Sequence, residues 1–222
     1  MKPILMRSIL LALLVAICAL PALSEDGPVF QVDFSNPGLA SPHWTLILHP
    51  DGSGHFRSQR NTAPAAVAQE MEAPSVDRDI RLSPEFAQRV FHTAQLHKWS
   101  GAECESHLKV AFQGWKKISY SGPEGHGVCE FNYSRDKDMQ TLGDSLVAVA
   151  GTILEGARLE MLLAHDRLGL DREMEYLQEA ANDGRVQQVC VIQGILERLA
   201  KDTGVMERVR KRARMLLAKA ER

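Results

Sequence analysis

Several things are missing from this chain, and each absence closes off a class of function. After residues 9–20 there is no second long apolar run. A bilayer core of about 30 Å needs about 20 such residues, so no membrane span is expected once that run is removed. There is no excess of positive charge either: the net charge is −2. That argues against a globally basic nucleic-acid binder. No twin-arginine pair precedes the apolar run, and Ile17 stands before Cys18 where a lipoprotein signal wants a small residue.

What is present begins with an export signal. Lys2 and Arg7 flank "MKPILMR", and "ILLALLVAICAL" follows as 12 apolar residues. A helix of that length spans about 18 Å, too short to cross a membrane. Ala22 and Ser24 occupy the −3 and −1 positions before Glu25. This order predicts a secretory signal peptide over 1–24 and a periplasmic or secreted mature protein. Without Lys2 and Arg7 the net charge falls to −4. Residues 205–222 carry seven basic and two acidic side chains, +5, which leaves −9 for residues 25–204.

From Val29 to Tyr133 the hydrophobic period is two. Phe30, Val32 and Phe34 share one face of "VFQVDF", and Trp44, Leu46 and Leu48 share one face of "HWTLILH". "PDGSG" predicts a hairpin turn leading into "HFRS". "NTAPAAVAQEMEAPS" keeps no period and carries two prolines, so it reads as a loop at the sheet edge. "DRDIRL" reads as a short strand. "SPEFAQRVFHTAQLH" reads as a helix capped by Ser83, with Pro84 at its first position. "LKVAFQG", "WKKISYSG" and "GVCEFNYS" predict three further strands.

At Ser134 the period changes to three and four. Met139, Leu142, Leu146, Val149 and Ile153 mark a long amphipathic helix to about His165, with a bend expected at Gly151 or Gly156. Three more helices are expected: one from Asp171, one over 185–201 and one over 205–219. Short links between them favour antiparallel neighbours. The fold class is therefore α+β. A mainly antiparallel sheet domain with one packed helix (25–134) precedes an all-α bundle or stack (135–222).

The order of "PDGSG" hairpin, "LSPEFAQRV" helix, "CEFNYS" strand and "HDRLGLDRE" resembles uncharacterised bacterial secreted proteins over most of the mature chain. "LERLAKDTGVMERVRKRARMLLA" is similar to one HEAT-type helix pair, with no second copy at the same spacing. Neither resemblance implies an activity.

"CESH" places Cys104, Glu105, Ser106 and His107 side by side. In an exported protein, the leading reading is a disulfide from Cys104 to Cys129, closing a 25-residue loop. The rival is a Cys/His-centred hydrolase using Cys104 and His107, assisted by Glu105 or His126. Neighbours on a strand face opposite ways, so adjacency alone does not make that site. Zinc could use Cys104 and His107 with His97, His126 or Cys129, but no second clean ligand pair exists. Cys190 reads as a buried helix thiol. "DGSGH" lacks the strand–turn–helix order of a nucleophile elbow. Asp166, Asp171 and Glu173 miss the EF-hand spacing, and Asp171 reads as a helix cap. "NYS" at 132–134 is a glycosylation sequon in form only, since the resemblance is bacterial.

The basic end offers a candidate anion-binding face: Arg208, Arg210, Lys211, Arg212 and Arg214. It could meet an anionic lipid surface, or it could form a solvated face that balances the acidic remainder. No aromatic platform is interleaved, and nucleic acid is not expected. The leading expectation is a non-enzymatic exported protein, with no cofactor and no metal. It would act as a binding or interaction module on an unidentified protein partner or component of the cell envelope.

Overall fold

A computed structural model describes residues 27–60, 74–97 and 104–220. The expected leader (1–24) and most of the expected edge loop (61–73) lie outside the described residues. Six strands form one sheet: β1 (Val29–Ser35), β2 (His43–Leu48), β3 (Ser53–Gln59), β4 (Val76–Arg81), β5 (Trp115–Gly122) and β6 (Gly125–Phe131). Their order is β4-β3-β2-β1-β5-β6, and every neighbouring pair is antiparallel.

The alternation read from the sequence sets which face is buried. Phe30, Val32 and Phe34 on β1 lie in register with Leu48, Leu46 and Trp44 on β2. All six are buried on the inner face. Ile118 and Tyr120 continue that row on β5, and Cys129 and Phe131 on β6. The β2–β3 hairpin turns at Gly52, whose φ of 82° lies in the left-handed region that glycine adopts without a Cβ penalty.

Helix α1 (Pro84–His97) covers one part of this face with Phe86, Val90, Phe91 and Ala94. Phe91 meets Phe30 and Tyr120 ring to ring. Ser83 Oγ accepts from Phe86 N–H at 3.2 Å, as its capping role requires. Helix α2 (Lys137–His165) covers the rest. Asp136 caps it, accepting from the N–H groups of Asp138 and Met139. Residues Met139 to Ala157 of α2 belong to the sheet's core, whereas Leu159 and Leu162 belong to a second core. That second core is completed by α3 (Leu170–Asn182), a 3-10 turn (Val189–Ile192), α4 (Gln193–Lys201) and α5 (Glu207–Ala220). The fold is α+β, as the change of period indicates.

Local expectations are corrected at three places. Residues 104–114 form no strand. His107 has a φ of 52°, and Val110 N–H turns back to Leu108 C=O, so the backbone cannot extend along β6. The expected helix over 185–201 starts only at the 3-10 turn. Gln188 has a φ of 54°, and Gln187 is tied to Thr152 Oγ1 through both its N–H and its C=O. Helix α2 is continuous as a single element: Gly156 marks a close approach, where a Cβ would collide with Ile192 Cγ2. Finally, Gly169 rather than Asp171 stands at the N-cap of α3.

Candidate functional site

The CESH segment is a clasp. The sulfurs of Cys104 and Cys129 lie 2.05 Å apart, at disulfide-bonding distance. The Glu105 carboxylate accepts from Asn132 N–H at 2.6 Å, His107 N–H at 3.1 Å and Tyr133 N–H at 3.4 Å. Burial alone would raise its pKa, but these backbone donors outweigh that and hold the carboxyl below the usual range. Ser106 is buried and accepts from Leu108 N–H. Glu105 is thus spent on fixing the chain against the end of β6. His97 stands apart from the clasp, between Asp136 and Asp138 at the start of α2, with Nδ1 3.2 Å from Asp136 Oδ2. These three residues bring ligand atoms within 4.8 Å of one another. The contact between His97 and Asp136 and the capping role of Asp136 account for them.

The basic helix α5 is largely paired within the chain. Arg208 and Arg212 both lie 2.6 Å from Asp171 Oδ1, and Arg212 also reaches Glu175 at 3.1 Å. Arg210 and Arg214 share Glu207, the latter at 2.6 Å. Of the five candidate residues, Lys211 has no carboxylate partner among the described residues. Asp171 therefore ties α3 to α5.

A third place brings together residues that the sequence reading did not connect with one another. Between the β1–β2 connection and α2 lies a cavity of about 220 Å³. One wall is aromatic: Phe34 and Trp44 stack with centroids 4.9 Å apart and planes at 13°. The opposite wall is the α2 face of Val147, Gly151, Leu154, Glu155 and Arg158, residues spaced at three and four. Gly151 leaves the space open, since a Cβ there would meet nothing within 4 Å. Leu39, Ala40 and Ser41 close the rim.

One polar atom at this cavity is left over from the fold's own bonding, and a buried carboxyl pair stands beside it. Ser41 is 5 % exposed and its Oγ has no hydrogen-bond partner, whereas the Glu155 carboxyl, buried at Oε2, bonds to the Glu173 carboxyl. Behind Glu155 stands Glu173 on α3, 4 % exposed. Arg158 Nε lies 3.0 Å from Glu173 Oε2, an ion pair without an aligned hydrogen bond. Burial, with the adjacent Glu173 carboxyl added, pushes the Glu155 carboxyl up to about 8; Arg158 only partly opposes this. Two carboxyls and one guanidinium therefore hold one extra proton at neutral pH.

Two signals in the sequence could have found this site. In "GLDREMEYL", Glu173 falls on the apolar row of Leu170, Met174 and Leu177. In "GTILEGAR", Glu155 stands beside Leu154, four residues after a glycine on the same face. A carboxylate in such a row is costly to bury unless it is paired or protonated. No protein-family model matches the chain, and no curated protein matches its sequence.

Proposed function

We propose that the protein is a non-enzymatic binding protein, exported to the bacterial periplasm or secreted, that holds a small and largely apolar ligand in the Trp44–Glu155 cavity. The observation that carries this reading is an apolar, aromatic-walled cavity edged by the buried Ser41 Oγ, which has no hydrogen-bond partner, and by the Glu155 carboxyl with its displaced pKa. Ligand sites are typically apolar hollows with a few convergent polar groups and a displaced pKa. Export is supported by the leader-like residues 1–24 and by a cysteine pair at disulfide distance. Among the described residues no helix is long and apolar enough to cross a membrane. A catalytic reading centred on Cys104 loses its nucleophile to Cys129.

The test uses 2-phenylethanol and phenethylamine as probes, followed by tryptophan fluorescence, since Trp44 lines the cavity. At least one should give a saturable change with the mature protein. Gly151→Leu fills the space and should abolish that change while circular dichroism and melting remain native. If neither probe saturates, or if Gly151→Leu binds as the parent does, the cavity is not a ligand site.

A further inference from the structure

One exposed segment carries a pattern that the sheet does not use. Residues 107–113 are all exposed, and none belongs to a strand. Leu108, Val110 and Phe112 alternate along it at 47 %, 40 % and 50 % exposure. Phe112 meets the exposed Trp115 edge to ring, with centroids 6.4 Å apart, which widens the apolar patch. Exposed apolar side chains gathered in this way mark an interaction surface. Leucine, valine and phenylalanine at a period of two suit a strand, and the partner strand is missing from the chain itself.

The backbone shows the same vacancy. The N–H groups of Leu108 and Val110 are satisfied inside the chain, by Ser106 Oγ and by Leu108 C=O. Those of Lys109 and Ala111 meet no acceptor among the described residues. Open backbone donors beside apolar side chains are what an added strand recognises.

We infer that residues 108–112 dock a second copy of this chain, the two segments pairing antiparallel about Val110. In that register Val110 faces the partner's Val110 and Leu108 faces the partner's Phe112, so one side of the ribbon is apolar throughout. On the other side Lys109 faces the partner's Ala111, and the two ammonium groups do not stand opposite each other. Lys109 and Ala111 supply the ladder, each exchanging N–H and C=O with the other across the axis. Ala111 C=O accepts from Asn132 Nδ2 at 3.4 Å and keeps a second lone pair for this bond. The ladder needs neither Val110 N–H nor Leu108 C=O, which bond to each other. Centring on Lys109 would oppose the two ammonium groups. Centring on Ala111 would draw in Gly114, whose φ of 114° ends the extended run. Five residues a side fall short of the roughly 20–30 in a standard interface, so the dimer is weak and forms with concentration. Its two-fold axis closes the assembly at two copies.

The experiment is sedimentation velocity of the mature, non-reduced protein from low to high micromolar concentration. The average mass should climb from one copy towards two. Val110→Lys sets two ammonium groups on the axis and should weaken association at least about tenfold, with melting unchanged. Ala111→Glu sets a carboxylate opposite the partner's Lys109 on both sides of the axis and should tighten it about fivefold, whereas Ala111→Lys should weaken it. A mass of one copy throughout, or species larger than two, overturns the inference. So does a dimer that ignores Val110→Lys, or one that responds alike to the two Ala111 variants.

Discussion

Glu155 makes folding depend on pH in an unusual sense. Its carboxyl is raised from 4.5 to about 8 in the folded protein by burial and by Glu173. Between those values the folded state binds the extra proton and the unfolded state does not. Stability contributed this way is present at low pH and is lost as pH rises from about 4.5 to about 8, then levels off. Glu155→Gln should remove that slope and raise stability above pH 8 by roughly a few kcal/mol. Urea titrations at pH 5, 7 and 9 check this, and an unchanged pH slope would refute the account. His55 works in the same direction more weakly. Hydrogen bonding to Asp79 and Asp77 raises its pKa, so its exposed bridge is lost as pH rises past the imidazole range.

At the scale of elements, helix α2 carries two glycines with opposite duties. Gly151 faces open space, so alanine there adds helix propensity with nothing to displace. Gly151→Ala should stabilise the protein by about 0.5–1 kcal/mol. Gly156 sits against Ile192, and Gly156→Ala forces that contact apart, costing about 1–3 kcal/mol. Equal melting shifts for the two variants would contradict the packing described for α2. Neither role is readable from residue type, because both glycines interrupt the same apolar run. The inner faces of β1 and β2, by contrast, are legible, since their alternation is unbroken. Residues 108–112 alternate as well, yet form no strand. A period of two reports which way side chains point and not whether a partner strand lies alongside. Lys116 is the quieter signal: a lysine in the inner row with Ile118 and Tyr120, buried, its Nζ donating to Asn132 C=O at 2.9 Å.

For the whole molecule, the Cys104–Cys129 link closes a 25-residue loop between the segment before β5 and β6. Its loss, by reduction or as Cys104→Ser with Cys129→Ser, should cost roughly 3–4 kcal/mol by the loop-entropy estimate. A fall in the urea midpoint measures it, with Cys190→Ser as a control that leaves the link intact. An unchanged midpoint would make the clasp at Glu105 sufficient without the sulfurs. The pairing was readable because only three cysteines follow residue 24 and two flank one short stretch of sheet. The cavity was not, because its parts come from Phe34 to Glu173 and meet only when α2 lies across the ends of the central strands β1 and β2 and α3 folds back on α2.

That α2 serves two cores has a consequence for where the chain can be cut. Periodicity divides the chain at 134/135, yet the helix that roofs the sheet begins just after that point and ends inside the helical core. A gene fragment stopping at 134 would encode a sheet with Trp44, Leu46 and Phe131 bare on one side. A fragment starting at 135 would encode a helix with half its apolar stripe facing nothing. Cut at the visible seam, neither half keeps its own core covered, so the change of period marks a change of architecture and not a point where the chain can be divided.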